Sequence, residues 1–487
     1  MLIIPFFKIF SVFFISQFLG TITYTQNSTK NFLLSASFAI PLSFSVFGLI
    51  WLLFLLGGNL ENIVAREMIT KNSINIALFI LIFLKIISYT VSKIKFKNFL
   101  LDLWLALLAG LLGVIFQIVA PKYFVGDSYF LINWSASGLD LINRGFPLIG
   151  ISLSNFSLYL LNDFYLNAFH NLMSVCLVAS VIITIFLFQN KNAVGLNHKN
   201  VLYYLFPATF IILIFTINGM FFRHSIYVNF NLLAGFYVFV ATAIFFVNRK
   251  KLTLLPLVLI FIFLSSLATT RFEGVLLSII ILWWIALYSD ENKKITLLIL
   301  STSVFNTSYL CLIFVNTESG SFVSPDLMKG LIFIVCLFPL ISFILLKALS
   351  KKILIKLTAI FTITIFVFLT LLSPSHMLNN LFFVLINLNP LFWGLFSILM
   401  LVFFIRLVRM LVFDKLKDFS IFGLIFFNSL IIMFCLTFFR ESLRFGMNDS
   451  FNRMLIQIAP TLLPFASLEL SRLIKYYDRR KTNINHS

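Results

Sequence analysis

Apolar runs of about 20 residues follow one another along this chain, separated by short polar gaps. Hydrocarbon offers no water to satisfy backbone N–H and C=O groups, so each run must pair them within itself, as a helix does. The alternating polar and apolar dyads of an outer-membrane barrel are absent. The chain is 61% hydrophobic and only 11% charged. Its mean hydropathy of +1.05 sets it apart from soluble globular domains. The expected fold is all-α, a polytopic transmembrane bundle of roughly 14 or 15 spans.

Spans are expected near 1–20, 32–57, 75–92, 99–119, 170–188, 201–217, 226–247, 252–268, 274–289, 295–315, 330–349, 357–372, 381–405, 419–438 and 454–473. Residues 1–20 contain Lys8 and end without a small-residue cleavage site, so they read as a retained first span. The longest gap is 120–169, too short for an appended soluble domain. Within it, residues 146–169 mix apolar side chains with Asn155, Asn162 and Asp163, which suits helix lying in the membrane interface. The whole of 1–487 is expected to be one integral-membrane domain: N-terminal spans to 74, a core over 75–473, and a tail from 474.

The gaps fall into two classes that alternate. One class is rich in Lys and Arg: Lys93/Lys95/Lys97, Lys191/Lys199, Arg249/Lys250/Lys251, Lys293/Lys294, Lys351/Lys352/Lys356, Arg406/Arg409/Lys415/Lys417 and Arg479/Arg480/Lys481. The other carries sparser, mixed charge: Asp127 to Arg144, Arg223-His224, Arg271/Glu273, Glu318/Asp326, His376 and Arg440 to Arg453. By the positive-inside rule the first class faces the cytoplasm. The net charge of +19 then reflects loops facing anionic lipid. No basic stretch is long enough for a nucleic-acid-binding domain. Four cysteines, Cys176, Cys311, Cys336 and Cys435, all sit inside expected spans and read as small buried hydrophobes. Lys85 and Lys347, near helix ends, are expected to snorkel toward the interface.

Soluble-enzyme motifs are missing: no Walker loop, no dinucleotide-binding glycine pattern, no H-E-x-x-H and no G-x-S-x-G. The five His do not fall at ligand spacing, so no metal site and no cofactor is expected. Chemistry-bearing residues gather on the sparsely charged face. Asp127, in GDSYFLINW, could act as a general base toward a hydroxyl, or simply cap the helix that begins at Ser128. Arg271 and Glu273 share a turn of a few residues, TRFEG, closed by Gly274. The Arg fork suits phosphate oxygens and Glu273 could orient it; the pair could equally anchor the hairpin at the interface. Arg440, Arg444 and Arg453 lie where the positive-inside rule disfavours them. They need an anionic partner, either a lipid-linked phosphate or the nearby Glu441 and Asp449. Arg223-His224, in another short turn, could join the same anion site or contact headgroups. His376 reads as a lone loop His.

This combination resembles the C-type superfold of integral-membrane glycosyltransferases, which use polyprenyl-phosphate-linked sugar donors. The resemblance rests on GDSYFLINW in the first long outer loop, TRFEG at 270–274, and NRMLIQIAPTLLPF at 452–465 opening the last span. It implies that Asp127 activates the acceptor hydroxyl and that Arg271 and Arg453 hold the donor phosphate. The first loop lacks a D-x-D, which departs from the metal-dependent members. The expected function is sugar transfer to a glycan, lipid or protein acceptor on the extracytoplasmic face of a bacterial inner membrane. Two alternatives stand beside it: a flippase for lipid-linked oligosaccharides, and a surface-polysaccharide polymerase or ligase.

Overall fold

A computed structural model describes residues 3–17, 37–57, 63–92, 96–119, 167–189, 201–226, 230–249, 252–316, 325–439, 443 and 450–484. The described residues form helices and no strand. In chain order these are α1 Ile3–Ser16, α2 Ala39–Gly57, α3 Ile63–Ser92, α4 Phe96–Val119, α5 Asn167–Gln189, α6 Phe206–Ile217, α7 Gly219–Ile226, α8 Asn231–Asn248, α9 Leu254–Thr270 and α10 Gly274–Tyr288. There follow α11 Asn292–Asn316, α12 Pro325–Ala348, α13 Lys351–Leu372, α14 Pro374–Asn387, α15 Pro390–Trp393, α16 Leu395–Val412, α17 Ser420–Leu436 and α18 Ser450–Ile484. A π-turn, Val201–Leu205, leads into α6, and a 3-10 turn, Thr437–Phe439, closes α17.

Nine of the described helices are long and apolar enough to cross a membrane, and α1, α2, α5, α9 and α10 hold shorter apolar stretches of 10–17 residues. Together they make the chain a multi-pass membrane protein with an all-α bundle. It divides into two units, 1–177 with 224–348, and 178–223 with 349–487.

In the first unit α8 is enclosed by α2, α9 and α10, and α11 packs on α9, α10 and α12. Nearly every α8 side chain is buried, from Asn231 to Phe246. By contrast α12 turns Phe333, Leu340 and Ile344 outward, as a lipid-facing helix does. Helices α1, α2, α3 and α4 pack on one another. A buried charge cluster ties three of them. Lys85 of α3 donates to Asp102 of α4 and to the Phe14 carbonyl of α1, and Tyr89 donates to the same carboxylate. The Lys85 ammonium also sits 3.8 Å from the centre of the Phe14 ring. Lys85 therefore does not snorkel: a carboxylate in reach holds it inside. Lys347, in the last turn of α12, lies over the Phe343 ring at 4.1 Å.

In the second unit α18 packs on α6, α14, α16 and α17, and is buried over its span. Gly423 allows this: a Cβ there would stand 2.9 Å from the Phe465 ring. Pro460 and Pro464 lie inside α18 without ending it. The helix runs on to Ile484, beyond the span end expected at 473.

The span expected over 381–405 is not a single helix. Pro374 opens α14 one residue after α13 ends, Pro390 opens α15, and Gly394 adopts φ 57°, a value that favours glycine. Hydropathy ran across a chain that Pro390 and Gly394 break, so the crossing helix is α16. His376 accordingly lies in a helix, not a loop. Of the cysteines, Cys176 and Cys435 are buried as expected, while Cys311 and Cys336 are exposed on α11 and α12.

Contacts among the polar ends respect the two classes of gap. At the Lys/Arg-rich ends, Lys294 donates to the Leu252 carbonyl at 2.6 Å, and Asp414 pairs with Lys352 and Lys356, each at 3.0 Å. Hydrogen bonds from Lys352 and Lys356 hold the Asp414 carboxyl below the usual carboxylate range. Tyr203 donates to Asp478, and Lys475 to Tyr204. At the sparsely charged ends, His376 and Asn380 meet Thr437, and Trp393 meets Asn452. Residues far apart in sequence but of one class thus share one end of a unit.

Candidate functional site

Among the described residues, the turn between α9 and α10 brings two opposite charges together on the sparsely charged face. Helix α9 closes with a run of small hydroxyl residues, in which Thr269 donates to the Ser265 carbonyl at 3.0 Å and Thr270 to the Ser266 carbonyl at 2.6 Å. Each satisfies a hydroxyl within its own helix, which lets neighbouring helices approach. Arg271 then swings to extended backbone while its N–H still reaches the Leu267 carbonyl. The Gly274 N–H donates to the Arg271 carbonyl at 2.9 Å, and α10 starts at once. Only glycine fits at 274, since a Cβ would lie 2.0 Å from the Leu267 carbonyl oxygen. Sequence reasoning found this glycine and its purpose.

The two charges of the turn are brought together. Arg271 Nε stands 3.9 Å from Glu273 Oε2, an ion-pair distance longer than a hydrogen bond. The Arg271 side chain is 22% exposed and that of Glu273 only 7%, and Arg271 Nε is itself buried. A buried carboxylate and a mostly buried guanidinium thus put opposite charges within one tight turn. One helical turn into α10, Ser278 accepts a hydrogen bond from Asn306 of α11 at 3.1 Å, which braces the hairpin against α11.

Arg223 and His224 do not lie in a turn, as expected from sequence, but in the short helix α7. That helix is bent 75° from α6. Asn218 makes the bend: its backbone is extended, and its side-chain oxygen accepts from the Phe221 N–H at 2.6 Å, capping α7. Arg223 is half-buried and His224 buried. In the second unit Arg453 lies in the first turn of α18, half-buried, with Nη2 3.5 Å from Ser450 Oγ. Asp127 and Arg444, with the interfacial segment expected over 146–169 as far as residue 166, lie outside the described residues.

One cluster at this face was missed from sequence. Asn380 is fully buried; it donates to Thr437 Oγ1 at 3.1 Å and accepts from the Leu443 N–H at 2.9 Å. His376 Nε2 lies 3.1 Å from the Thr437 carbonyl. Trp393 donates to Asn452 at 2.8 Å. Helices α14 and α15 are thereby fastened across the ends of α17 and α18, next to Arg453. A signal existed: Met377, Asn380, Val384 and Asn387 fall at spacings of three and four, one helical face on which the Asn residues are buried. Among the described residues no three His, Cys, Asp or Glu side chains gather as metal ligands would. Comparison with protein-family models, curated proteins and solved structures finds no match to this chain.

Proposed function

We infer that this chain is a membrane glycosyltransferase that moves a sugar from a polyprenyl-phosphate carrier to a glycan, lipid or protein acceptor on the extracytoplasmic face. The observation that carries the reading is the Arg271–Glu273 hairpin: a mostly buried guanidinium 3.9 Å from a buried carboxylate, in a gap of the sparsely charged class. An anion brought there by an apolar carrier is what such a fork recognises. On sequence grounds alone, Arg453, Arg444, Arg223 and His224, on the same class of gap, are further candidates for the donor phosphate.

In this mechanism Asp127 accepts the proton of the acceptor hydroxyl. The hydroxyl oxygen attacks the anomeric carbon as the bond from that carbon to the phosphate oxygen breaks, inverting the centre. The electron pair leaves with the phosphate, and the Arg271 fork stabilises the charge that develops. Glu273, buried beside Arg271, serves as orienter of that fork and is next in line as base.

Two observations favour a second reading, a flippase for the same carrier lipid. The α6–α7 pair is a broken helix, and the Lys85–Asp102 pair is a charge cluster buried within helices. The test separates them. Purified protein receives a synthetic short-chain polyprenyl-phosphate sugar, and transfer and lipid scrambling in liposomes are scored independently. Arg271→Ala should lower donor use roughly ten- to a hundredfold, from about 1.5–3 kcal/mol of charge-assisted contact. Arg271→Lys should lower it partly, since charge stays and the fork is lost. Scrambling that depends on Arg271, with no transfer to any acceptor, would replace the transferase reading with the flippase.

A further inference from the structure

The second unit carries a basic cavity at its Lys/Arg-rich end. It has a volume of about 630 Å³ and is lined by Arg406, Arg409, Met410, Phe413, Lys415, Arg472, Leu473 and Tyr476. Four of these are cations, from α16, the segment after it, and α18. Fully buried Glu469 lies behind them. It accepts from Arg406 Nε at 3.0 Å and from Arg472, and so fixes two guanidinium groups in place. One carboxylate cannot neutralise four cations. Neither Asp414, which is engaged by Lys352 and Lys356, nor Asp418 or Asp478 lines the cavity. The cavity thus has a net positive lining with preset donors.

The apolar part of the lining says which anion fits. Val402, Arg406, Arg409 and Phe413 follow at spacings of four, three and four, so they form one stripe along α16. Val402 and Phe413 are exposed, at 51% and 60%. Exposed Leu395 and Ile398 continue the stripe upstream of Val402 at spacings of three and four, so it is apolar up to Arg406 and Arg409 beside the cavity, which matches an acyl chain joined to a headgroup. From Arg453 to Arg472 along α18 is roughly 30 Å at 1.5 Å per residue, about the thickness of the hydrocarbon core. The cavity therefore stands at the other membrane face from Arg453, and does not depend on the glycosyl-transfer reading.

We propose that this cavity is a binding site for the phosphate of an anionic glycerophospholipid in the leaflet facing the Lys/Arg-rich ends. Arg406 and Arg472, held by Glu469, and Arg409 grip the phosphate oxygens, Lys415 adds charge at the mouth, and the α16 stripe receives the chain. Basic pockets between helices on the cytoplasmic side select anionic headgroups in this way.

The test uses the full-length protein in phosphatidylcholine nanodiscs, with phosphatidylglycerol added and retained lipid counted by native mass spectrometry. Arg409→Gln/Lys415→Gln removes two exposed cations and leaves the Glu469 pairs intact. It should weaken phosphatidylglycerol retention at least tenfold with the unfolding temperature unchanged. Phe413→Asp, which adds a negative charge at the mouth, should weaken it likewise by an independent route. Phosphatidylcholine should be retained no better by the wild type than by either variant, and millimolar inorganic phosphate should not displace the bound lipid. Equal phosphatidylglycerol retention by wild type and both variants would overturn the proposal, as would equal retention of phosphatidylcholine. Displacement by inorganic phosphate would overturn it in favour of a site for a soluble phosphate compound.

Discussion

Lys85→Met tests whether the first unit depends on its buried charge cluster. The substitution keeps most of the side-chain length and removes only the cation. Asp102, with no exposed surface, is left with the Tyr89 hydroxyl as its hydrogen-bond donor. Breaking a buried pair by removing one partner costs about 3–5 kcal/mol, because the remaining charge is stranded away from water. At roughly 2–4 °C per kcal/mol, thermal unfolding in detergent should fall by about 6–20 °C. Removing both charges should be far milder: Lys85→Met/Asp102→Leu should recover most of the loss, since well-packed apolar replacements of a buried pair are often neutral. Asp102→Leu alone should lie between, because Lys85 retains the Phe14 carbonyl and ring. The cycle yields a coupling energy directly. A Lys85→Met protein that unfolds within about 2 °C of wild type would refute the reasoning, as would a double variant less stable than either single one.

Two further predictions follow from the sparsely charged face. Gly274→Ala puts a methyl 2.0 Å from a backbone oxygen, so the α9–α10 turn must open; this should cost about 1–3 kcal/mol in thermal unfolding and lower sugar transfer in step with Arg271→Ala, whereas full transfer would separate Arg271 from the function. Asn380→Leu strips the buried Leu443 N–H of its acceptor and should destabilise by about 1–3 kcal/mol; an unchanged unfolding temperature would mean that α14 is not fastened through this residue.

What the sequence makes legible depends on the range of the interaction. Span positions follow from backbone pairing in hydrocarbon, which acts within about 20 residues, and most helices fall where hydropathy puts them. The Arg271, Glu273 and Gly274 turn is equally local: all three roles act within residues 267–274. The break at 388–394 was local as well, but Pro390 and Gly394 were outweighed by the apolar residues around them. Long-range pairs were not readable. Lys85 and Asp102 are separated by 17 residues and a basic gap, and nothing in either segment names the other. Asn380 and Thr437 are 57 apart, and the basic cavity draws on two distant stretches of chain. Alternating charge did foretell which ends meet, because both depend on the side from which a helix leaves the membrane.

Sugar transfer as proposed requires the Arg271 hairpin to lie on the membrane face opposite the basic clusters. Single cysteines in a background without the native four test this with an impermeant maleimide on intact cells. The sites are Phe272 in the hairpin, Ser375 on exposed α14, Asn292 at the start of α11 and Lys417 after α16. Cysteines at Phe272 and Ser375 should label from outside, and those at Asn292 and Lys417 only after permeabilisation. Labelling of Asn292→Cys from outside, or of Phe272→Cys and Ser375→Cys from opposite sides, would contradict the account.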